Sequence, residues 1–166
     1  MPDPSLDGSP ELEALEARGI DCAAFFDGQF VFSPNGVARF DSWTRLRICG
    51  GVLQISPALP NGAVCGPDGR PIGHRLGVAI APGTGLLQDG YGLPCDPQNR
   101  GAVEDWAATL AGRFLLLLDL PSGPCVIGDP VGDLGLVYCP GSRRAAATLS
   151  ASGMETTGLV QAIQRA

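Results

Sequence analysis

The sequence predicts an α+β protein whose sheets are mostly antiparallel. Three observations carry that expectation. Short apolar runs recur between Gly, Pro, Asn and Asp punctuation, helix-like segments are few, and the run Leu115-Leu116-Leu117-Leu118 is too continuous for a strand with one wet face. With 166 residues, 45% of them hydrophobic, the chain is long enough to bury a sizeable core. It is read as one domain over residues 11–166 behind a Pro-, Ser- and Asp-rich disordered lead at 1–10.

Taken in order, residues 11–18 predict a short helix, with Asp7 or Ser9 as cap and Gly19 as stop. Residues 22–26 and 29–32 read as two strand pieces around Asp27-Gly28, a dipeptide suited to a tight hairpin. Pro34-Asn35-Gly36 turns the chain into 37–40. Residues 43–48 alternate apolar with polar, and after Gly50-Gly51 residues 52–55 return as the antiparallel partner. Pro57, Pro60, Pro67 and Pro71 make 57–73 a long loop or a decorated hairpin. A strand follows at 75–81, in which Gly77 marks a bulge or a close backbone approach. Residues 82–101 read as irregular.

Residues 103–110 predict a helix. Glu104 and Asp105 sit at its front, where the helix dipole favours anions, and Trp106 shares a face with Val103 and Leu110 and packs on the sheet. The rest reads as a meander of four short strands: 115–118, 125–127, 134–139 and 145–149. The turn Pro121-Ser122-Gly123-Pro124 and the loop at 128–133 connect the first three. A helix at 159–165 closes the chain.

Composition narrows the function. The formal charge is −6, and the 11 basic residues are all arginine and dispersed, so neither nucleic acid nor an anionic membrane has an electrostatic footprint. Without lysine there is no Walker-type phosphate lysine, no Schiff base and no lysine general base. Arginine bias with 24 Gly and 15 Pro fits a GC-rich, bacterial type of genome. Six cysteines, at 22, 49, 65, 95, 125 and 139, include no Cys-x-x-Cys pair, and His74 is the one histidine, so a zinc site is not expected. Cys49, Cys125 and Cys139 lie in apolar runs, where a thiol acts as a small hydrophobe. No apolar run approaches the roughly 18 residues of a membrane span, and Met1-Pro2-Asp3-Pro4 begins no signal core. A reducing cytoplasm is the expected compartment.

The candidate sites each have a plain structural reading. His74 must serve any Ser-His or Cys-His arrangement, yet no Gly-x-Ser-x-Gly elbow accompanies it, and at a strand entrance it reads as an ordinary polar residue. Gly83-Thr84-Gly85 lacks phosphate-loop spacing and reads as a turn. Asp129 and Asp133 could be imagined as a metal pair. An aspartate before proline more readily accepts turn amides, and Gly132 supplies a permissive backbone angle.

One order of features resembles a known family. A helix runs into Gly112-x-Phe114, then an apolar run to Asp119. A strand, Asp129-Pro130-x-Gly132, an apolar stretch with Tyr138 and a small-residue strand follow. This is similar to the class II glutamine amidotransferase domain in its asparagine synthetase-like branch. The resemblance implies a four-layer αββα sandwich of the Ntn-hydrolase type, two sheets face to face with helices outside. It assigns Gly112, Phe114, Asp119, Asp129, Pro130, Gly132 and Tyr138 to building the sheet and its loop, and not to the chemistry.

That family's chemistry uses a mature N-terminal cysteine, whose thiol attacks the glutamine amide while its own amine serves as base. This chain begins Met1-Pro2, and Asn61-Gly62 lacks the acid that follows in the family's turn. The Ser-Gly-Gly-x-Asp-Ser loop of the ATP-using half is absent too; Ser152-Gly153-Met154 does not supply it. The expectation is a non-hydrolysing structural or interaction module without cofactor, partnered by a synthetase-like protein or by its own copies. The alternative is a glutamine amidohydrolase in which cleavage after Asp21 frees Cys22, heading Cys22-Ala23-Ala24-Phe25, as the nucleophile.

Overall fold

The structure is a computed structural model and describes residues 10–33, 40–139 and 144–146. In chain order its elements are α1 (Pro10–Ala17), α2 (Cys22–Phe25), β1 (Phe30–Ser33), β2 (Thr44–Ile48), β3 (Gly51–Ile55), β4 (Asn61–Cys65), β5 (Pro71–Ala81), β6 (Gly85–Leu86), β7 (Tyr91–Gly92), α3 (Arg100–Ala108), β8 (Ala111–Leu120), β9 (Gly123–Gly128), β10 (Val137–Cys139) and β11 (Arg144–Ala146). The fold is mixed α+β, mostly sheet, and its pairings are antiparallel except β4 with β7. The described residues form two compact units. One holds those up to Leu59 together with those from Gly135 onward, the other Pro60–Leu134.

The first unit carries a sheet in the order β10-β11-β1-β3-β2. Its β2–β3 hairpin is the one predicted from alternation. Ile48 pairs with Gly51, leaving Cys49 and Gly50 as a two-residue turn with φ of 50° and 73°, the positive pair that a type I′ turn requires. Cys49 is therefore a turn residue and not part of an apolar strand. Gly19 stops α1 as expected: at φ 73° it donates to the Glu16 carbonyl at 2.8 Å, and Ile20 donates to Leu15 at 3.0 Å, a Schellman closure.

Residues 22–26 overturn their expectation. They form a helical turn because Asp21 caps it, its carboxylate accepting from Ala23 and Ala24 at 2.9 and 3.3 Å. Asp27-Gly28 consequently joins a helix to a strand and makes no hairpin. The Ser56 hydroxyl ties that junction to the end of β3, donating to the Asp27 carboxylate and accepting from Gly28 N–H at 2.8 Å. Cys22, Phe26, Val31, Phe40 and Trp43 are buried together here.

The second unit carries the sheet β7-β4-β5-β8-β9, with β6 pairing β5. The proline-interrupted stretch is a decorated hairpin: β4 and β5 pair from Asn61↔Leu76 to Cys65↔Pro71, and Gly66 closes their turn on the Arg70 carbonyl at 2.8 Å. Gly77, at φ 78°, is the close approach the sequence marks, since a methyl there would run into the Arg113 carbonyl of β8. The stretch read as irregular holds the two-residue strands β6 and β7.

The four consecutive leucines of β8 are all buried, at 2, 0, 5 and 0% exposure for Leu115 to Leu118. Strand periodicity sends Phe114, Leu116, Leu118 and Leu120 to one face, into a core with Val103 and Ala107 of α3. Leu115 and Leu117 occupy the other face, where Leu115 pairs across from Leu76. Each such side chain contributes on the order of 1.5–3 kcal/mol. The helix begins at Arg100, earlier than predicted, because Asn99 caps it with a 3.1 Å bond from Ala102 N–H. Glu104 and Asp105 are thus mid-helix, and Glu104 pairs with Arg100 at 2.8 Å. Trp106 packs toward the core as expected and stacks on Tyr91, centroids 6.0 Å apart.

The four-strand meander is also corrected. β8 and β9 pair with each other, whereas β10 and β11 belong to the first unit's sheet, where β11 pairs β1. A short strand's edge satisfies any neighbour's backbone equally, so local pattern does not choose the partner. The lead at 1–9, residues 37–39 and 147–149, and the helix at 159–165 lie outside the described residues.

Candidate functional site

The most constrained polar group in the second unit is Asp129, 6% exposed in the loop after β9. One carboxylate oxygen, Oδ1, accepts from Val131, Gly132 and Asp133 N–H at 3.0, 2.6 and 3.1 Å. The other, Oδ2, accepts from Phe114 and Leu134 N–H, each at 3.3 Å. Gly132 adopts φ 74°, which lets consecutive amides converge on one oxygen. In return Asp129 N–H donates to the Phe114 carbonyl at 3.0 Å, and Arg113 Nε donates to the Asp133 carbonyl at 3.1 Å. Asp129 holds the turn as its position before Pro130 predicts. Burial acts to raise its pKa, but the Asp133, Leu134, Gly132 and Phe114 amides outweigh that and hold it below the ordinary carboxylate value.

Cys22, the candidate nucleophile, opens α2 at 6% exposure. Burial first, then the charges of Glu16 and Asp21, push its thiol up, away from the thiolate a nucleophile needs. Its neighbours Phe26, Phe40 and Trp43 form an aromatic run, with ring centroids 5.9 Å apart for the first pair and 4.2 Å for the second. These surroundings suit a packed thiol.

No family model, curated protein or solved structure matches the chain.

His74 lies inside β5, opposite Ala63 and Leu117, and not at a strand entrance. Its Nε2 is 2.9 Å from the Asn61 amide oxygen, a contact that orients the ring without activating a hydroxyl or thiol. Burial lowers its pKa and the Arg75 charge adds to that, while Asp89 opposes, so the ring is neutral at pH 7. Arg75, unremarked in the sequence, is only 6% exposed and donates to the Gly77 carbonyl. Asp89 accepts from Ala63 N–H at 2.7 Å, and both Asp89 and Arg75 crowd the open side of Gly62. An arginine inside an apolar strand was the available signal. The buried Ser56 gave none, because Ser56-Pro57 reads as loop.

The residues that carry the family resemblance have definite places. Gly112 has φ 119° and abuts the Val78 carbonyl, Phe114 is fully buried, Asp119 is exposed on β8 opposite Pro124, and Pro130 is exposed beside Asp129. Tyr138 pairs with Ala145 in the first unit's sheet. Of these, Phe114 and Asp129 are bonded to each other. Among the described residues no group of three or more His, Cys, Asp or Glu is placed to hold a metal ion, and no helix is long and apolar enough to cross a membrane.

Proposed function

We propose that this chain is a non-hydrolysing domain of the class II glutamine amidotransferase type, from the asparagine synthetase-like branch, and that it works as a structural or interaction module. The observation that carries the reading is the two-way bond between its motifs: Phe114 N–H to the Asp129 carboxylate and Asp129 N–H to the Phe114 carbonyl. Gly-x-Phe and Asp-Pro-x-Gly are separate in sequence and act as one device in space. In this reading the fold is the four-layer αββα sandwich of the Ntn-hydrolase type, housed in a reducing cytoplasm. Its partner is a synthetase-like protein on another chain or in a longer parent.

The placement of Cys22 favours this over the hydrolytic alternative. Freeing its amine requires cutting the bond to Asp21, and Asp21 caps α2 through Ala23 and Ala24. Loss of such a cap costs about 1 kcal/mol. The test is an intact-mass spectrum of protein made in its native host, then an ammonia-release assay with glutamine on the same sample. Unprocessed protein without turnover is the expected result. A mass matching residues 22–166, with turnover abolished by Cys22→Ala, would replace the scaffold reading with the glutaminase.

A further inference from the structure

The edge strand β9 is built differently from the other described edges. β2, at one edge of its sheet, carries Arg45 and Arg47, both exposed, β10 at the other edge is three residues long, and β7 is only two. Like charges and short length are the usual guards against edge-to-edge pairing. β9, Gly123-Pro124-Cys125-Val126-Ile127-Gly128, has neither guard: it is six residues long, uncharged, and Val126 is 50% exposed.

Its backbone parity is defined by two facts. Asp129 N–H donates inward to Phe114, so Ile127 and Cys125, in register with Leu116 and Leu118, face β8 with their hydrogen-bonding groups. Pro124, which has no N–H, falls at an outward position, where β8 loses nothing by its presence. The outward groups are therefore the Pro124 carbonyl and both backbone groups of Val126 and of Gly128. Among the described residues no backbone hydrogen bond outside the β8–β9 ladder uses them. Pro124, Val126 and Gly128 are all exposed.

From this edge we infer that β9 pairs antiparallel with β9 of a second copy of this chain, about a two-fold axis through Val126. The register follows from the donors present. Val126 exchanges both hydrogen bonds with its counterpart, and each Pro124 carbonyl accepts from the other copy's Gly128 N–H. The missing proline donor thus falls at the ends of the contact and not at its centre. On one face the two Val126 side chains meet on the axis; on the other Cys125 of each copy meets Ile127 of the other, continuing the apolar face that covers α3. Charge favours self-pairing at this edge over self-pairing at β2. The chain carries −6 overall, and a neutral strand lets two like-charged molecules approach where β2 would set arginine against arginine. The contact is isologous and closes, so it yields a dimer and not a fibre.

The pairing does not depend on the amidotransferase ancestry, since mass in solution and ammonia release are read separately. The test is sedimentation of the full chain at pH 7 over a concentration series, alongside Val126→Pro, Val126→Lys and Val131→Lys. Val126→Pro removes an outward donor without touching the β8 ladder, and Val131, 73% exposed, lies outside β9 as a control. The expected result is a monomer–dimer equilibrium that both Val126 variants weaken by at least about tenfold: proline removes one outward donor from each copy, the scale of one to two lost hydrogen bonds, and lysine sets two like charges against each other on the axis. Val131→Lys should leave it unchanged. Circular dichroism confirms that each variant is folded. A chain that stays monomeric at every concentration, or a dimer that survives in folded Val126→Pro, overturns the inference.

Discussion

Asp129 concentrates more hydrogen bonds than any other described side chain, and its consequences are set by sign. Its folded pKa lies below the ordinary 3.8, so the stability it contributes is fully present above that value and is lost as pH falls through the lower folded value. Asp129→Ala should destabilise the protein by about 1 to 3 kcal/mol at neutral pH, the cost of stranding buried amide donors. Asp129→Asn should not rescue it, because an amide in place of Oδ2 or Oδ1 turns a donor toward the N–H groups it must accept from. Denaturant unfolding of wild type and variants from pH 7 down into the acid range checks this. The gap should shrink below 3.8 and be unchanged by a chelator. A gap that holds constant through acid would mean that the carboxylate charge is not what stabilises the loop.

At the scale of elements, β5 and β8 approach so closely that three glycines are required, and Gly73 of β5 abuts the Leu117 carbonyl. Gly77 abuts the Arg113 carbonyl and Gly112 the Val78 carbonyl, each with a positive φ. Gly77→Ala adds a steric clash to the roughly 1–2 kcal/mol left-handed penalty, so it should cost more than Gly50→Ala. Gly50 also has a positive φ, of 73°, but nothing lies within 4 Å of an added methyl. Thermal melts of the two single variants would rank them, and an equal loss would show that backbone conformation alone accounts for both. The predicted β2–β3 hairpin and the long β8 strand were legible because alternation and continuous apolarity act locally. Helix α2 was not, because its apolar residues suit either state and the deciding bonds come from the Asp21 carboxylate.

At the scale of the whole molecule the charge is anionic and its cations are spread. Eleven arginines are dispersed along the chain, and those with described ion pairs, Arg45, Arg70 and Arg100, are paired to nearby carboxylates. The chain should pass a heparin column at pH 7 even in low salt. Retention that falls steeply with salt would reveal a basic patch that composition does not show.

The sequence by itself determined the α+β class, the antiparallel character, the burial of Leu115 to Leu118, the stop at Gly19 and the turn held by Asp129. Each rests on periodicity or on a bond between near neighbours, and those are written in a few consecutive residues. Only the tertiary structure decided that β10 and β11 join β1 and not β9, that residues 22–25 are helical, and that Arg75 and Ser56 are buried. These depend on which distant backbone edge or carboxylate a segment meets. Strand edges offer the same donors and acceptors to any partner, so that choice is made by the folded chain as a whole.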